Sequence, residues 1–500
     1  MSYELIAILM FSGMMLMLMT GQRVFGAIGF IGAAAGMALW GVGGSDIPFA
    51  AAMKLMKWYP MLTLPMFIFM GYVLSESKIA DDLYKMFHVW MGGVKGGLAI
   101  GTIGLMVLVS AMNGLSVAGM AIGATIALPE LLRRGYDKVL VTGVVQAGSS
   151  LGILVPPSVV LVLYAMIARQ PVGQLWLAGV LPGLMMATMF IIYIYMRARI
   201  QPNLGPAMKP EDLAEFEQVS DHPLRLNFVV LGALILLPLL AMTGLSDAKT
   251  TAGITLAAAI GSFALRHNPM FYKDVFMKEK HRLLFSGVLP LAIFAAMMVP
   301  FINGWTSLVE SSAIGAMTAF VAAVLKGRMN KEVFETSVRS TLGISCMFMW
   351  IILAALGFGA IFDGLGAVNA IKDLFTSQLG LSPWMILILM QVSFLLMGTF
   401  LDDTAMLVIV APLYVPLVGE LGFDLIWYGV LYTITTQIAY MTPPFGYNLF
   451  LMRAMAPPEI SLRDIYVSII PFALIMVCAL ALVMVFPQIA TWLPDYVYGK

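Results

Sequence analysis

Four short segments combine helix-breaking residues with side chains that could bind a small cation or an anion. Two place glycine among serine, threonine, asparagine or aspartate, and two place paired prolines after serine- or threonine-rich turns. Proline interrupts the helical hydrogen-bond ladder. The freed carbonyls, with hydroxyl and amide oxygens, suit a sodium ion, and the N-termini of half-helices favour an anion. The segments are 110–116, 148–157, 397–404 and 435–446.

We expect one sodium site in each half of the chain, with a substrate anion bound beside them. Each of these residue types also serves close packing of membrane helices, but four breaks related by one sequence offset favour a binding site. The expected sodium ligands are Ser110, Asn113, Ser116, Gly148, Ser149, Gly398, Thr399, Asp402, Thr436 and Met441. The expected substrate contacts are Ser150, Pro156, Pro157, Asp403, Thr404, Pro443, Pro444 and Asn448.

Three carboxylates need separate interpretations. A carboxylate at membrane depth is costly and is a functional hypothesis by default, whereas at a hydrated tip Asp402 and Asp403 would only cap the next helix. We expect the functional role chiefly for Asp402. For Glu310 the pattern favours an N-terminal charge that complements the helix dipole.

The composition around these segments is that of a membrane protein. Of the 500 residues, 61% are hydrophobic and 11% are charged, against about 45–50% and about 25% in soluble proteins. The net charge of +1 argues against nucleic-acid binding. Cys346 and Cys478 lie in apolar runs, which argues against a disulfide framework or a cysteine-based metal site. The first residues lack a basic region and a cleavage site, so we predict a first span rather than a removable signal.

We predict an all-α integral membrane protein with about twelve transmembrane helices, each of roughly 20 apolar residues, and two re-entrant hairpins. The hairpins are 97–132, interrupted at Asn113-Gly114, and 384–419. The broken helices are 138–168 and 426–452. Segment 78–95 is predicted to be an interfacial helix. The other predicted crossings are 3–20, 22–43, 60–77, 174–196, 226–244, 250–266, 283–303, 306–325, 341–362 and 465–487.

An internal repeat divides the chain. Its two copies share an odd number of crossings, so the second is predicted to run opposite to the first, in inverted topology. The predicted domains are a first repeat at 1–200, cytoplasmic linkers with two inserted spans at 201–282, and a second repeat at 283–500. Six residues recur after a constant 287 positions: Pro129, Gly135, Asp137, Pro156, Pro157 and Pro171 recur as Pro416, Gly422, Asp424, Pro443, Pro444 and Pro458.

The distribution of basic residues predicts the orientation, because Lys and Arg mark the cytoplasmic side. All but six of the 28 fall on one side of the predicted topology. Both termini and the loops 44–59 and 363–383 are therefore predicted to face the periplasm of a bacterial inner membrane. The loops 201–225, 267–282 and 326–340 are predicted to face the cytoplasm. The six exceptions are Lys54, Lys57, Arg169, Lys249, Lys372 and Lys500.

Seven motifs carry a family resemblance. They are LPMFIFMG at 64–71, IADDLY at 79–84, ALPEL at 127–131, RGYD at 134–137, GILVPPS at 152–158, FLD at 400–402 and TPPFG at 442–446. Together they resemble the large, DctM-like membrane subunit of tripartite ATP-independent periplasmic (TRAP) transporters over nearly the whole chain. The length and the TPPFG motif look most like the branch named for mannitol and chloroaromatic compounds. A departure is Asn113-Gly114-Leu115-Ser116, where the family often has Ser-Gly-Ser-Ser.

The resemblance implies a sodium-coupled importer of a small organic anion such as a carboxylate, and not an enzyme. It implies an elevator mechanism, in which a mobile domain with both hairpins and both broken helices moves against a scaffold. Sodium ions are the implied coupling ions, with no other cofactor. The implied partners are a small four-span (DctQ-like) membrane subunit and a periplasmic (DctP-like) substrate-binding protein. Because the sequence starts at the first span, we expect the small subunit to be a separate chain.

Three alternatives remain open. A stand-alone sodium–dicarboxylate symporter of related architecture would transport without a binding protein. A membrane enzyme or respiratory subunit would need histidines or acids within spans, but the four histidines fall in predicted cytoplasmic segments and there is no HExxH motif. A passive channel is less consistent with an internal repeat that carries two opposed hairpins, since that arrangement favours alternating access.

Overall fold

The computed structural model describes residues 2–20, 22–114, 116–208, 288–373, 380–398, 403–443 and 446–499. All regular elements in these ranges are helical, with no strand, which confirms the all-α prediction. The predicted spans 226–244 and 250–266 lie outside the described residues. The α-helices before residue 209 are α1 (Tyr3–Met19), α2 (Val24–Ala35), α3 (Asp46–Met56), α4 (Thr63–Glu76), α5 (Ile79–Met91), α6 (Gly97–Asn113), α7 (Ser116–Ile122), α8 (Leu128–Arg133), α9 (Lys138–Ser150), α10 (Val159–Ala168) and α11 (Val172–Ile200).

The second half of the described chain begins at residue 288. Its α-helices are α12 (Val288–Ile302), α13 (Leu308–Leu325), α14 (Lys331–Gly364), α15 (Ala367–Asp373), α16 (Pro383–Met397), α17 (Asp403–Glu420), α18 (Leu425–Met441), α19 (Tyr447–Met455), α20 (Leu462–Val485) and α21 (Gln488–Tyr498). Four of the described helices, α11, α13, α14 and α20, are long and apolar enough to cross a membrane. Shorter apolar helices include both arms of the first broken helix.

Four sequence-based predictions were wrong, and one of them is the loop 363–383, which contains α15. The predicted loop 44–59 contains α3, a short helix that begins with Asp46 and carries Lys54. These charged residues lower the hydropathy of the segment below that of a membrane span. Helix α14 starts ten residues before the predicted 341, because Asn330 caps it by accepting a hydrogen bond from the Val333 N–H (2.8 Å). Helix α21 follows Pro487, where no helix was predicted.

The helix interruptions fall close to the predicted positions. Helix α6 ends at Asn113, Gly114 has φ +65°, and α7 begins at Ser116. In the first broken helix, α9 ends at Ser150, a 3₁₀ turn follows, and α10 begins at Val159. The helix thus ends inside the predicted segment 148–157, six residues before Pro156. Prolines lack the N–H donor that a helical turn needs, and they restrict the residue before them.

The residues that recur at the 287-position offset occupy matching local structures. Gly135 and Gly422 follow α8 and α17 with φ of +80° and +82°, a conformation that glycine adopts without steric cost. Asp137 accepts a hydrogen bond from the Leu140 N–H (2.9 Å) at the start of α9. Asp424 caps α18 in the same way. The repeat therefore preserves helix ends and caps.

Two central helices are buried on every side. All residues of α9 from Leu140 to Ser150 and all residues of α18 from Ile426 to Met441 are buried. A helix that is apolar and buried all round lies inside a bundle. Helix α9 packs against α6, α7 and α20, and α18 packs against α16, α20 and α11. The first arms of both broken helices thus form the centre of the molecule.

Segments predicted to share the cytoplasmic side meet in the structure. The Gly96 N–H donates to the Gly205 carbonyl (2.8 Å), and Arg328 donates to the Lys78 carbonyl (2.7 Å). These contacts join residues that are far apart in sequence at one end of the bundle. Which compartment this end faces stays a prediction.

Candidate functional site

The tip of the first hairpin rests against the break of the first broken helix. The Gly114 carbonyl accepts a hydrogen bond from the Val159 N–H (3.2 Å), the first residue of α10. A β-carbon at position 114 would collide with the carbonyl oxygen of Pro157. Glycine is therefore required at this tip both by its positive φ and by the close approach of another backbone.

The break itself is stabilised by side chains. The Ser158 hydroxyl donates to the Ile153 carbonyl and accepts from the Leu161 N–H (3.2 Å), so it caps α10. The Trp176 indole N–H donates to the Ser158 carbonyl (3.3 Å). Pro156 and Pro157 are buried between these groups. The irregular backbone is thus held inside protein, as is required at membrane depth.

A chain of three polar side chains joins the two halves of the molecule. The Ser116 hydroxyl donates to Asn448 Oδ1 (3.3 Å), and Asn448 Nδ2 donates to the Ser149 hydroxyl (3.4 Å). They come from α7, α19 and α9, and their exposed fractions are 4%, 0% and 0%. We name these three residues the polar bridge. The donor–acceptor distances within the polar bridge lie just beyond the ordinary range of such hydrogen bonds. The hydrogen bonds between its members are therefore weak.

The polar bridge brings together residues from both predicted sets. Ser116 and Ser149 were predicted as sodium ligands, and Asn448 as a substrate contact. The Ser150 hydroxyl donates to the Ala147 carbonyl (2.8 Å) of its own helix, as the Ser149 hydroxyl does to the Gln146 carbonyl (2.8 Å), and Gly148 packs against Met106. The side chains of Ser110 and Asn113 lie outside the described part.

The second half supplies a related set of polar groups. The Thr435 hydroxyl donates to Gln391 Oε1 (2.5 Å), which joins α18 to α16. The Thr436 hydroxyl donates to the Thr433 carbonyl (2.8 Å). Gly398 faces Ala439, where a β-carbon would collide. The second hairpin is thereby packed closely on the second broken helix.

The remaining predicted residues are only partly described. Met441 is buried at the end of α18, and Pro443 is exposed. Thr399, Asp402 and Pro444 lie outside the described residues. Asp403 and Thr404 begin α17, but their side chains lie outside the described part as well.

Three buried glutamines were absent from the predicted set. Within the described chain, both amide atoms of Gln437 lack a hydrogen-bond partner, as do Gln391 Nε2 and Gln146 Oε1. All three side chains are buried. An unsatisfied buried polar group costs about 1–3 kcal/mol, so these atoms are available to water, ion or substrate. The signal in the sequence was a glutamine inside an otherwise apolar helix.

The electrostatics of the site come from neutral groups. The buried polar side chains of the described residues are serine, threonine, glutamine and asparagine, with no charged side chain among them. The same residues contain no cluster of three His, Cys, Asp or Glu that could hold a metal ion. Glu310, as predicted, belongs to a helix N-terminus, where it forms a capping box with Ser307.

The chain is similar to known transport proteins over most of its length. Residues 11–489 match the family model described as tripartite ATP-independent periplasmic transporter, DctM component. The C4-dicarboxylate TRAP transporter large permease protein DctM of Pseudomonas aeruginosa is 27% identical over 441 residues, covering 88% of this chain and 87% of that protein. The sialic acid TRAP transporter permease protein SiaT of Haemophilus influenzae is 24% identical over 445 residues, covering 87% of this chain and 60% of that protein.

A solved structure shares the fold. The Alcanivorax borkumensis YdaH transporter matches with a TM-score of 0.56 at 15% sequence identity, covering 92% of this chain and 90% of that chain. At this identity the match concerns the architecture, while function must be argued from the site.

Proposed function

Since the chain belongs to the TRAP transporter family as a DctM-type large permease, we propose that it is the membrane subunit of a sodium-coupled importer of small organic anions. It is a multi-pass membrane protein, and its relatives are named as permeases rather than enzymes. The relatives named for C4-dicarboxylates and for sialic acid both handle organic acids, which supports a carboxylate as the substrate class.

The polar bridge carries this proposal. It gathers hydroxyl and amide oxygens from both repeats at a buried point beside two helix breaks. Such oxygens suit a sodium ion, while the positive dipole ends at the N-termini of α10 and α19 would favour an anion. Because the buried polar side chains among the described residues are neutral, a cation and an anion that enter together compensate each other's charge. Either ion by itself would carry an uncompensated desolvation cost.

We further propose an elevator movement. Helix α14 packs along α2, α3 and α4, whereas α9 packs with α6, α7 and α20. These two groups support a division into a scaffold and a mobile domain that carries the polar bridge. Contact between α14 and α17 would lie on the sliding boundary.

Two partners complete the proposal: a small four-span subunit and a periplasmic binding protein. The sialic acid relative extends well beyond the matched region, since the match covers 60% of its length. This extra length is consistent with a further membrane part that other systems supply as a second chain.

The decisive experiment is uptake into proteoliposomes that contain this chain and the small subunit. Uptake of a radiolabelled C4-dicarboxylate or sialic acid is expected only with binding protein and an inward sodium gradient. Omitting each component in turn provides the controls. Sodium-driven uptake of free substrate by this chain without partners would instead support the stand-alone symporter.

A further inference from the structure

A cavity of about 1030 Å³ lies at one end of the bundle, apart from the polar bridge. Its wall is formed by α3, the connection between α10 and α11, the last turns of α14 and α17, and the first residue of α18. None of Ser116, Ser149 and Asn448 lines it. The cavity is therefore a separate feature, located where the two proposed groups of helices meet.

The body of the cavity is apolar and its rim is charged. Leu55, Met166 and Val415 are among the buried side chains of the wall. Lys57, Arg169 and Asp363 also line it and are exposed. The lining thus has an excess of one positive charge beside an apolar space. An amphiphile with an anionic head is the complementary ligand.

Neither helix-end geometry nor membrane topology explains why Lys57 and Arg169 occupy their positions. Arg169 ends α10 with φ 54° and ψ 38°, the left-handed conformation that helix ends normally give to glycine. Keeping a long side chain there costs conformational free energy. Both cations also belong to the six basic residues that the positive-inside distribution leaves on the other side. Topology therefore does not account for them, whereas a bound anionic head would.

We propose that this cavity binds an anionic phospholipid, with its phosphate between Lys57 and Arg169 and an acyl chain along the apolar wall. Each methylene group of the acyl chain that packs against this wall buries apolar surface, which favours binding. A small dicarboxylate has no such part to bury, and Asp363 opposes a second negative charge. Trp58, partly buried in the same wall, is a residue typical of the membrane interface.

The lipid in this cavity contacts both groups of helices. Lys57 belongs to the α3–α14 side, and Arg169 belongs to the α10–α17 side. One headgroup that holds both cations therefore fixes the distance between the two groups. The binding proposal does not require the elevator proposal, because the cavity and its charges are present in the structure as described.

The test uses the full chain, purified in detergent and stripped of lipid. Native mass spectrometry and thermal unfolding are measured with phosphatidylglycerol and with phosphatidylcholine. The wild type is expected to bind phosphatidylglycerol more tightly. The double variant Lys57→Gln/Arg169→Gln is expected to lose roughly tenfold or more of that affinity, as removal of two cations from an anionic lipid contact predicts. Its phosphatidylcholine binding should fall much less, because the choline group of that lipid already compensates the phosphate charge.

Two further variants separate the possible outcomes. Ala360→Trp, at an exposed position of the wall, should reduce binding of both lipids by filling the cavity. Lys331→Gln/Arg339→Gln removes two exposed cations at the other end of α14 and should behave as wild type. Equal affinity for both lipids in the wild type, or full phosphatidylglycerol binding by the double variant, would overturn the proposal. Displacement of the lipid by a C4-dicarboxylate would overturn it in favour of a substrate path.

Discussion

Ser116 and Asn448 are 332 positions apart in the sequence, and the Ser116 hydroxyl lies 3.3 Å from Asn448 Oδ1. The contact joins the first hairpin of one repeat to the second arm of the other repeat's broken helix. A movement that separates these two elements must break it. The contact therefore reports on whether both repeats move as one body.

Replacing Asn448 with alanine removes the central member of the polar bridge. We expect Asn448→Ala to lower sodium-driven uptake at least tenfold and to raise the sodium concentration needed for half-maximal uptake. Stability should fall by about 1–3 kcal/mol, because two hydrogen bonds with a net value of about 0.5–1.5 kcal/mol each are lost. Uptake at a series of sodium concentrations and a thermal unfolding curve provide the measurements. Asn303→Ala is the control, because the Asn303 amide donates to the Val299 carbonyl of the helix just before it. Normal sodium dependence in Asn448→Ala would exclude the polar bridge as an ion site.

Asp402 stays a predicted sodium ligand. Removing it with Asp402→Ala should reduce uptake and alter its sodium dependence while membrane insertion stays intact, because a carboxylate at membrane depth is retained for function. Uptake against sodium concentration and the amount of protein in the membrane fraction are the readouts. Asp373→Ala, at an exposed carboxylate outside the predicted site, is the matched control. Unchanged sodium dependence would remove Asp402 from the site and leave the backbone ligands to be tested.

The hairpin tip offers a matched pair of glycine substitutions. Gly114 and Gly327 both have φ +65°, but only at Gly114 would a β-carbon meet other atoms, including the Pro157 carbonyl. Gly327→Ala should cost about 1–2 kcal/mol from backbone conformation and leave uptake intact. Gly114→Ala should lower the stability of the protein more than Gly327→Ala does. It should also abolish uptake, because the added methyl group pushes the hairpin tip away from the break of the first broken helix. Equal effects of both changes on uptake would contradict the close approach.

Substitution of Gln437 should raise the stability of the protein, whereas substitution of an ordinary core residue lowers it. Its amide is buried and has no partner within the described chain, so Gln437→Leu should raise stability, by up to about 1–3 kcal/mol. Uptake should fall if the amide contacts water, ion or substrate during transport. Gln391→Leu is the comparison, since it removes the bond from Thr435 and should destabilise. Unfolding curves and uptake rates decide between these roles. A Gln437→Leu protein with lowered stability would show that the amide has a structural partner.

The predicted orientation is tested by labelling single cysteines in a chain whose Cys346 and Cys478 have been replaced. An impermeant thiol reagent applied from outside should label Lys372→Cys and spare Lys273→Cys. The physical basis is the excess of basic residues on one side of the predicted topology. Labelling after membrane disruption controls for reactivity at both positions. The reverse pattern would invert the orientation of the whole chain.

The positions of the helix interruptions could be predicted from the sequence, but the contacts between distant segments could not. Proline and glycine act on the backbone within a few residues, so the breaks near Gly114 and Pro156 could be located from local chemistry. Helix α3 was missed because it is short and carries Lys54. The polar bridge depends on contacts between residues 299 and 332 positions apart. Its three members could be proposed individually, but no local pattern specifies that Asn448 lies between the two serines.

The absence of charged side chains among the buried polar groups of the described residues bears on the response to membrane potential. If the polar bridge crosses the bilayer with no charge of its own, its empty return moves no charge, and the net charge moved in each complete cycle is that of the cargo. A dianion with two sodium ions would then be carried without current. A third sodium ion would make each cycle electrogenic, with about 2.3 kcal/mol gained per 100 mV of potential. The transport current, compared with the rate of substrate uptake, would therefore give the number of sodium ions that accompany a substrate of known charge.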